Sequence, residues 1–209
     1  SVFHLASGLI AEDSPKFLLS APQVMKAGWN ARILKHYDLN KDGFEDLAYY
    51  NLDRSRIEFL YRTKDGKAPP RVRSAQPDRW EPPIEDAPYV KEYLFVSEEL
   101  TAFAFGDLND DGSTDLVRGS PEDGLLVHFR TKDNKWSKPI EIETKTLKAH
   151  SQAIKILAKS KDSPARIFLF TEEGLETLPF SKGKPLYPSR LFREDSKRAT
   201  GLDLLDLDE

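Results

Sequence analysis

The sequence predicts an all-β protein made of antiparallel sheets with up to four strands each. Short segments alternate apolar and polar residues in steps of two and are rich in β-branched and aromatic side chains, as in Ile57, Phe59 and Tyr61. Two acidic loops with one shared pattern begin at residues 38 and 107, so the fold contains an internal repeat. No window combines helix caps with a sustained 3.6-residue apolar stripe.

Composition sets outer limits on function. The chain has 209 residues, a hydrophobic fraction of 39%, no cysteine and a net charge of −4 with both signs interspersed. The absence of cysteine excludes disulfides and thiolate chemistry, and the lack of a concentrated basic face disfavours nucleic acid as a partner. No stretch has the roughly 18 apolar residues of a membrane span, and residues 1–5 lack the regions of a signal peptide.

The two acidic loops, residues 38–46 and 107–115, carry oxygen-bearing side chains at positions one, three, five and nine and glycine at position six. A Ca²⁺ ion takes six to eight oxygen ligands, and alternate residues of a loop point inward together when the backbone turns sharply between them. Gly43 and Gly112 permit that turn because glycine enters positive φ without steric cost. The pattern predicts one calcium site in each loop.

The predicted ligands are four side chains and one backbone carbonyl in each loop. Mg²⁺ fits less well because it demands a stricter octahedron, and the usual histidine or cysteine ligands of zinc are missing. The alternative in which the loops are acidic Asx turns that bind nothing stays open. The predicted side-chain ligands are Asp38, Asn40, Asp42 and Asp46 with the carbonyl of Phe44, and Asp107, Asn109, Asp111 and Asp115 with the carbonyl of Ser113.

An EF-hand is the competing interpretation of these loops. It requires a bidentate glutamate at position twelve and a helix on either side. Position twelve is Tyr49 in the first loop and Arg118 in the second, and both flanks have the pattern of strands. The sequence therefore disfavours an EF-hand.

The repeat extends beyond the loops. Both copies continue into a strand, a polar turn and a second strand that ends in Arg-Thr-Lys-Asp, at residues 62–65 and 130–133. A third copy has strands at 153–157, 166–170 and 174–180, but basic residues at Lys159, Lys161 and Arg166 stand where the carboxylates stood. We expect this copy to keep the fold without the metal.

A fourth copy begins near the end of the sequence. Residues 199–209 have the pattern of a strand and half a loop, in which Asp206 and Asp208 would form an incomplete third calcium site. We treat the chain as one repeat region with units at 31–99, 100–150, 151–198 and 199–209, and residues 1–30 as the possible tail of a preceding unit. A proline-rich insertion at 67–88 predicts a surface excursion, which Trp80 and Tyr89 would pin to the body or offer to a partner.

The repeat resembles the FG-GAP or VCBS repeats found in integrin α-subunit heads and in many exported bacterial proteins. Residues 105–112, Phe-Gly-Asp-Leu-Asn-Asp-Asp-Gly, resemble the motif closely, and residues 37–43 lack only the preceding glycine. The resemblance implies a β-propeller in which each repeat is a four-stranded blade with Ca²⁺ between its first two strands. The chain holds about three to four blades where the family usually has about seven, so a partial propeller is expected.

On this basis we expect a non-enzymatic, calcium-binding module for adhesion, recognition or scaffolding, exported to a periplasmic, secreted or cell-surface location where calcium is abundant. Its partner would be a protein or carbohydrate, the remaining blades or a second chain. The alternative is part of a secreted polysaccharide-active enzyme, because similar propellers carry lyase activity. The four histidines are scattered, and no nucleophile or phosphate-loop motif indicates catalysis.

Overall fold

The computed structural model describes residues 27–67, 88–97, 99–120 and 124–193. These residues form three antiparallel sheets, which confirms the predicted all-β class. Within the described ranges the only helical turn is a 3-10 turn at Leu52–Arg54, and no helix long and apolar enough to cross a membrane occurs there. Most of the predicted tail at residues 1–30, Trp80 and most of the insertion, and the fourth copy with Asp206 and Asp208 lie outside the described residues.

Each sheet is a meander in which strands pair in chain order. Sheet 1 contains β1 Ala31–Tyr37, β2 Asp46–Asn51, β3 Arg56–Arg62 and β4 Tyr89–Phe95. Sheet 2 contains β5 Ala102–Gly106, β6 Asp115–Ser120, β7 Gly124–His128 and β8 Ile140–Ile142. Both sheets have four antiparallel strands, in agreement with the predicted sheets of up to four strands, and they share one strand order.

Sheet 3 follows the same plan with a divided outer strand. It contains β9 Ile154–Leu157, β10 Ala165–Thr171, β11 Gly174–Ser181, β12 Lys184–Pro185 and β13 Arg190–Arg193. The short β12 pairs with the end of β11 and β13 pairs with its beginning, so both occupy the fourth position of the sheet. The third repeat keeps the fold of the other two, as predicted.

The sheets pack face to face, with sheet 2 in the middle. Its first strand lies between β1 and β9 and buries both faces. Phe103 and Phe105 enter a core shared with sheet 1, while Ala102 and Ala104 enter a core shared with sheet 3. This alternation is the two-residue period of a strand buried on both sides. The described sheets form a stacked series and no closed ring.

His128 on β7 is buried. Its Nε2 accepts a hydrogen bond from Arg118 Nε at 3.0 Å, and its Nδ1 donates to the Ser137 carbonyl at 2.9 Å. Burial and the positive charge of Arg118 lower the pKa of His128 below its ordinary value of 6.5, against the raising effect of the Ser137 carbonyl. The folded state therefore prefers the neutral ring.

We predict that this preference makes stability depend on pH. Above pH 6.5 the ring is neutral in both the folded and the unfolded chain, and as the pH falls below 6.5 the unfolded chain binds the proton more readily, so stability declines. The decline is at most about 1.4 kcal/mol per pH unit. Urea unfolding from pH 7.5 to pH 5 should show a steeper loss in the wild type than in His128→Gln, whose amide keeps a donor and an acceptor. Equal pH profiles would show that His128 does not contribute.

Candidate functional site

Both acidic loops lie at the same corner of their sheets. Residues 38–45 connect β1 to β2, and residues 107–114 connect β5 to β6. The glycines at position six have positive φ, 88° at Gly43 and 82° at Gly112, as the pattern predicted. Position four is also left-handed, with φ of 59° at Lys41 and 66° at Asp110. The two loops therefore turn in the same way, although their fourth residues carry opposite charges.

In the first loop the predicted side chains bind the backbone of the turn. Asp38 accepts hydrogen bonds from the amides of Asp42, at 3.0 Å, and Gly43, at 2.9 Å. Asn40 accepts from the Asp42 amide at 3.1 Å and donates to the Asp42 carboxylate at 3.2 Å. Asp42 in turn accepts from the amide of Phe44 at 3.0 Å. The side chains at positions one, three and five therefore all accept hydrogen bonds from backbone amides of the turn.

The second loop repeats this network. Asp107 accepts from the amides of Asp110, at 2.7 Å, and Gly112, at 2.9 Å. Asn109 accepts from the Asp111 amide at 3.1 Å and donates to the Asp111 carboxylate at 2.9 Å. Asp111 accepts from the amide of Ser113 at 2.7 Å. One difference is that Asp107 binds the amide of position four, where Asp38 binds the amide of position five.

Position nine has a role that the spacing alone did not show. Asp46 and Asp115 are fully buried. Each receives an amide from the second residue of its own loop and another from the third strand region of its sheet. Asp46 binds the amides of Leu39 at 3.0 Å and Arg62 at 2.8 Å. Asp115 binds the amides of Leu108 at 2.9 Å and Arg130 at 3.0 Å.

The shared Arg-Thr-Lys-Asp segments are hydrogen-bonded to the loops through the backbone of their first residue. The backbone amides of Arg62 and Arg130 bind the position-nine carboxylates, so the similarity in sequence marks a structural link between loop and sheet. The two side chains differ. Arg62 lies over the ring of Phe44, 5.4 Å from its centroid, whereas Arg130 is buried against Trp136, 4.5 Å from its centroid.

Burial dominates the electrostatics of position nine. Together with the smaller repulsion from Asp111 and Asp107, it raises the pKa of Asp115 to about 6, although the hydrogen bonds from the two amides lower it. The pKa of Asp46 is raised for the same reasons. At Asp111 burial raises the pKa, but the hydrogen bonds from Ser113 and Asn109 lower it by more. The pKa of Asp111 is therefore lowered overall. The second loop therefore combines an easily ionised carboxyl at Asp111 with a costly buried charge at Asp115.

The arrangement is compatible with cation binding without being a preformed cage. Within the described ranges, no three Asp, Glu, His or Cys side chains are close enough together to form a metal centre. Each carboxylate oxygen has two lone-pair sites, so an amide hydrogen bond to an oxygen leaves a second site for a cation. Coordination by positions one, three and five would need these side chains to turn from the amides towards a shared ion.

The loops of successive sheets also contact one another. The hydroxyl of Thr114 donates to the carbonyl of Asp38 at 3.3 Å, which joins the second loop to the first. In the third copy, Lys159 forms a salt bridge with Asp110 of the second loop. A lysine of the basic third loop thus pairs with an acidic residue of its neighbour, a contact that the sequence did not indicate.

Comparison of the chain with protein-family models, with curated proteins and with solved structures found no match.

Proposed function

We propose that the protein is a calcium-binding, non-enzymatic β-propeller module in which the three described sheets are blades. It would serve adhesion, recognition or scaffolding outside the cytoplasm, where calcium is high enough to fill such loops. The observation that carries the calcium assignment is the agreement between the two loops. Nine residues with one ligand pattern adopt one backbone turn at one corner of two sheets, with oxygen atoms of positions one, three and five gathered around it.

Charge gives a reason for an ion to bind there. Each loop holds three aspartates and one asparagine at the ligand positions, so the ligand set alone places three negative charges within nine residues. Amide donors offset part of their repulsion, and a divalent cation would offset the rest. Binding to the folded loop alone would couple calcium to stability.

The blade assignment is supported by the order and packing of the sheets. The first strands of the sheets pack in sequence, β1 beside β5 and β5 beside β9, and within each sheet the strands pair in chain order from that first strand. Sheet 2 buries both faces, as a blade between two others does. Radial repetition of four-stranded sheets around an axis is the arrangement of a propeller.

Calcium should therefore stabilise the protein. With free calcium at about 100 times the dissociation constant, each occupied site is expected to add about 2.7 kcal/mol to the free energy of unfolding. The melting temperature should fall on chelation with EDTA and return when calcium is restored, and isothermal titration calorimetry should detect two ions per chain. A melting temperature unaffected by either treatment would contradict the proposal.

Matched variants assign the ions to the loops. Asp42→Ala and Asp111→Ala each remove position five of one loop, and each should leave one bound ion. Asp133→Ala removes an exposed acid outside both loops and should leave two. Two ions bound to the Asp111→Ala protein would show that the ligand set of the second loop is wrong.

The alternative function, part of a polysaccharide-active enzyme, has one observation in its favour. On sheet 1 the exposed ring of Tyr93 lies under Arg56, 4.6 Å from its guanidinium, and beside the exposed ring of Phe95. A lyase would need a base there. The nearby Tyr49 is a poor one, because burial and its hydrogen bond to Glu58 raise its pKa to about 12. Reproducible calcium-dependent cleavage in a screen of acidic and neutral polysaccharides would favour this alternative.

A further inference from the structure

The second acidic loop is in contact with a lysine of the neighbouring sheet. Lys159 lies in the loop that connects β9 to β10, and its ammonium forms a salt bridge with the carboxylate of Asp110 at position four of the second loop. The two residues are 49 positions apart in the sequence. They meet because β9 packs beside β5, which places the third loop next to the second.

The third loop closes its own turn through two serines. The amide of Ser160 donates to the carbonyl of Ser163 at 3.0 Å, and the two hydroxyl groups are hydrogen-bonded at 3.0 Å. Because serines supply these hydrogen bonds, the side chain of Lys159 can pair with the second loop instead. The loop that has lost the acidic ligand pattern thus contacts a loop that keeps it.

Counting Lys159 with the second loop gives the two acidic loops the same balance of charges. The first loop contains four acidic residues and one lysine, whereas the second contains four acidic residues and no basic one. The salt bridge from Lys159 supplies the lysine that the second loop lacks. The acidic residues are Asp38, Asp42, Glu45 and Asp46 in the first loop, and Asp107, Asp110, Asp111 and Asp115 in the second.

The lysine is at position four in both loops. In the first loop it is Lys41 itself, whose ammonium lies over the ring of Tyr37, 5.5 Å from its centroid. In the second loop it is Lys159, which is paired with the residue at that position. Position four is close to the candidate ligands, because the amide of Asp110 donates to the carboxylate of Asp107 at 2.7 Å. A charge at this position therefore acts on the ion site.

The pair of Lys159 and Asp110 is suited to affect ion binding more than folding. Both side chains are about half exposed, and an exposed salt bridge contributes little to stability because it is screened and its side chains lose freedom. A divalent ion interacts with a nearby unit charge twice as strongly as a monovalent ion does, and screening is incomplete within about 10 Å at 0.1 M ionic strength. Asp110 alone would raise the affinity for a cation, and Lys159 cancels that effect.

We propose that Lys159 regulates the calcium affinity of the second loop by neutralising Asp110. The basic third loop then has a role of its own, which is to tune the site beside it. The salt bridge lowers the affinity of the second loop, as Lys41 does in the first. This inference rests on the proposed calcium function.

Isothermal titration calorimetry of the Asp42→Ala protein tests the inference, because calcium then binds at the second loop alone. Adding Lys159→Gln should make calcium bind about three- to tenfold more tightly at low salt, since the charge of Asp110 is no longer cancelled. Adding Asp110→Asn should weaken binding, and the two changes together should restore the affinity of the Asp42→Ala parent. The gain from Lys159→Gln should shrink in about 1 M potassium chloride, where the Debye length is about 3 Å.

Two further variants in the same background are controls. Lys159→Arg keeps the positive charge and should bind calcium as the parent does. Lys145→Gln breaks a similarly exposed salt bridge, with Glu173 in the turn after β10 at the opposite end of that strand from the third loop, and should also leave the affinity unchanged.

The outcomes separate this inference from the calcium function. An affinity that Lys159→Gln leaves unchanged or lowers would overturn the inference and leave the calcium site of the second loop intact. Absence of calcium binding by the Asp42→Ala parent would instead refute the second site itself, and the inference with it.

Discussion

Replacing Asp115 with alanine is expected to cost about 2–6 kcal/mol of unfolding free energy even without calcium. Its carboxylate is fully buried and accepts the amides of Leu108 and Arg130. Alanine leaves both amides without a partner, and each unsatisfied buried group costs about 1–3 kcal/mol. Urea denaturation at pH 7 in the presence of EDTA measures the loss. A loss in this range would make Asp115 a structural connection between loop and sheet as well as a candidate ligand.

Two variants separate these roles of Asp115. Asp111→Ala removes a candidate ligand whose hydrogen bonds lie on the exposed rim of the loop, so it should cost little in EDTA and lose the part of the calcium stabilisation that comes from the second loop. Asp46→Ala removes the matching buried carboxylate of the first loop and should behave like Asp115→Ala. If Asp115→Ala matched the wild type in EDTA and differed only with calcium, the structural connection would be refuted.

Local sequence predicted the parts of the loops that local geometry determines. Glycine at position six is needed by a turn that closes within nine residues, and φ at Gly43 and Gly112 agrees. The partners of position nine were not predictable in this way. The hydrogen bonds from the Arg62 amide to Asp46 and from the Arg130 amide to Asp115 depend on how the third strand pairs with the second. The spacing of residues in the sequence does not determine that pairing register.

The sheets show the same division between local and non-local information. The two-residue alternation at Ile57, Phe59 and Tyr61 marked a buried strand face, which the structure confirms. The strand β4 pairs with β3 after the long insertion, and the two-residue β12 is too short for any alternation. The left-handed Ile33 in β1 also contradicts the preference of its own residue type, because the surrounding sheet determines its conformation.

Phe59→Ala is expected to cost about 3–5 kcal/mol, which is typical of a fully buried aromatic ring. Phe59 is completely inaccessible to solvent and lies in the core between sheets 1 and 2. Its ring centroid is 5.3 Å from that of Trp136 and 6.3 Å from those of Tyr61 and Phe105. Because these neighbours are large rings, they cannot move together far enough to fill the cavity that alanine leaves. Urea denaturation measures the cost, and the exposed Phe192→Ala on sheet 3 should cost less than about 0.5 kcal/mol.

Hydrogen exchange in the same variant tests whether the stacked sheets unfold together. Phe105 contacts Phe59 from β5, the strand whose Ala102 and Ala104 pack against sheet 3. Because β5 belongs to both cores, loss of the first core should weaken the second, in which the apolar face of sheet 3 is buried against β5. The amides of Ile167 and Leu169 on β10 should therefore lose protection in Phe59→Ala by the same free energy as those of β3. Unchanged protection on β10 would show that sheet 3 unfolds separately and that the sheets are independent units.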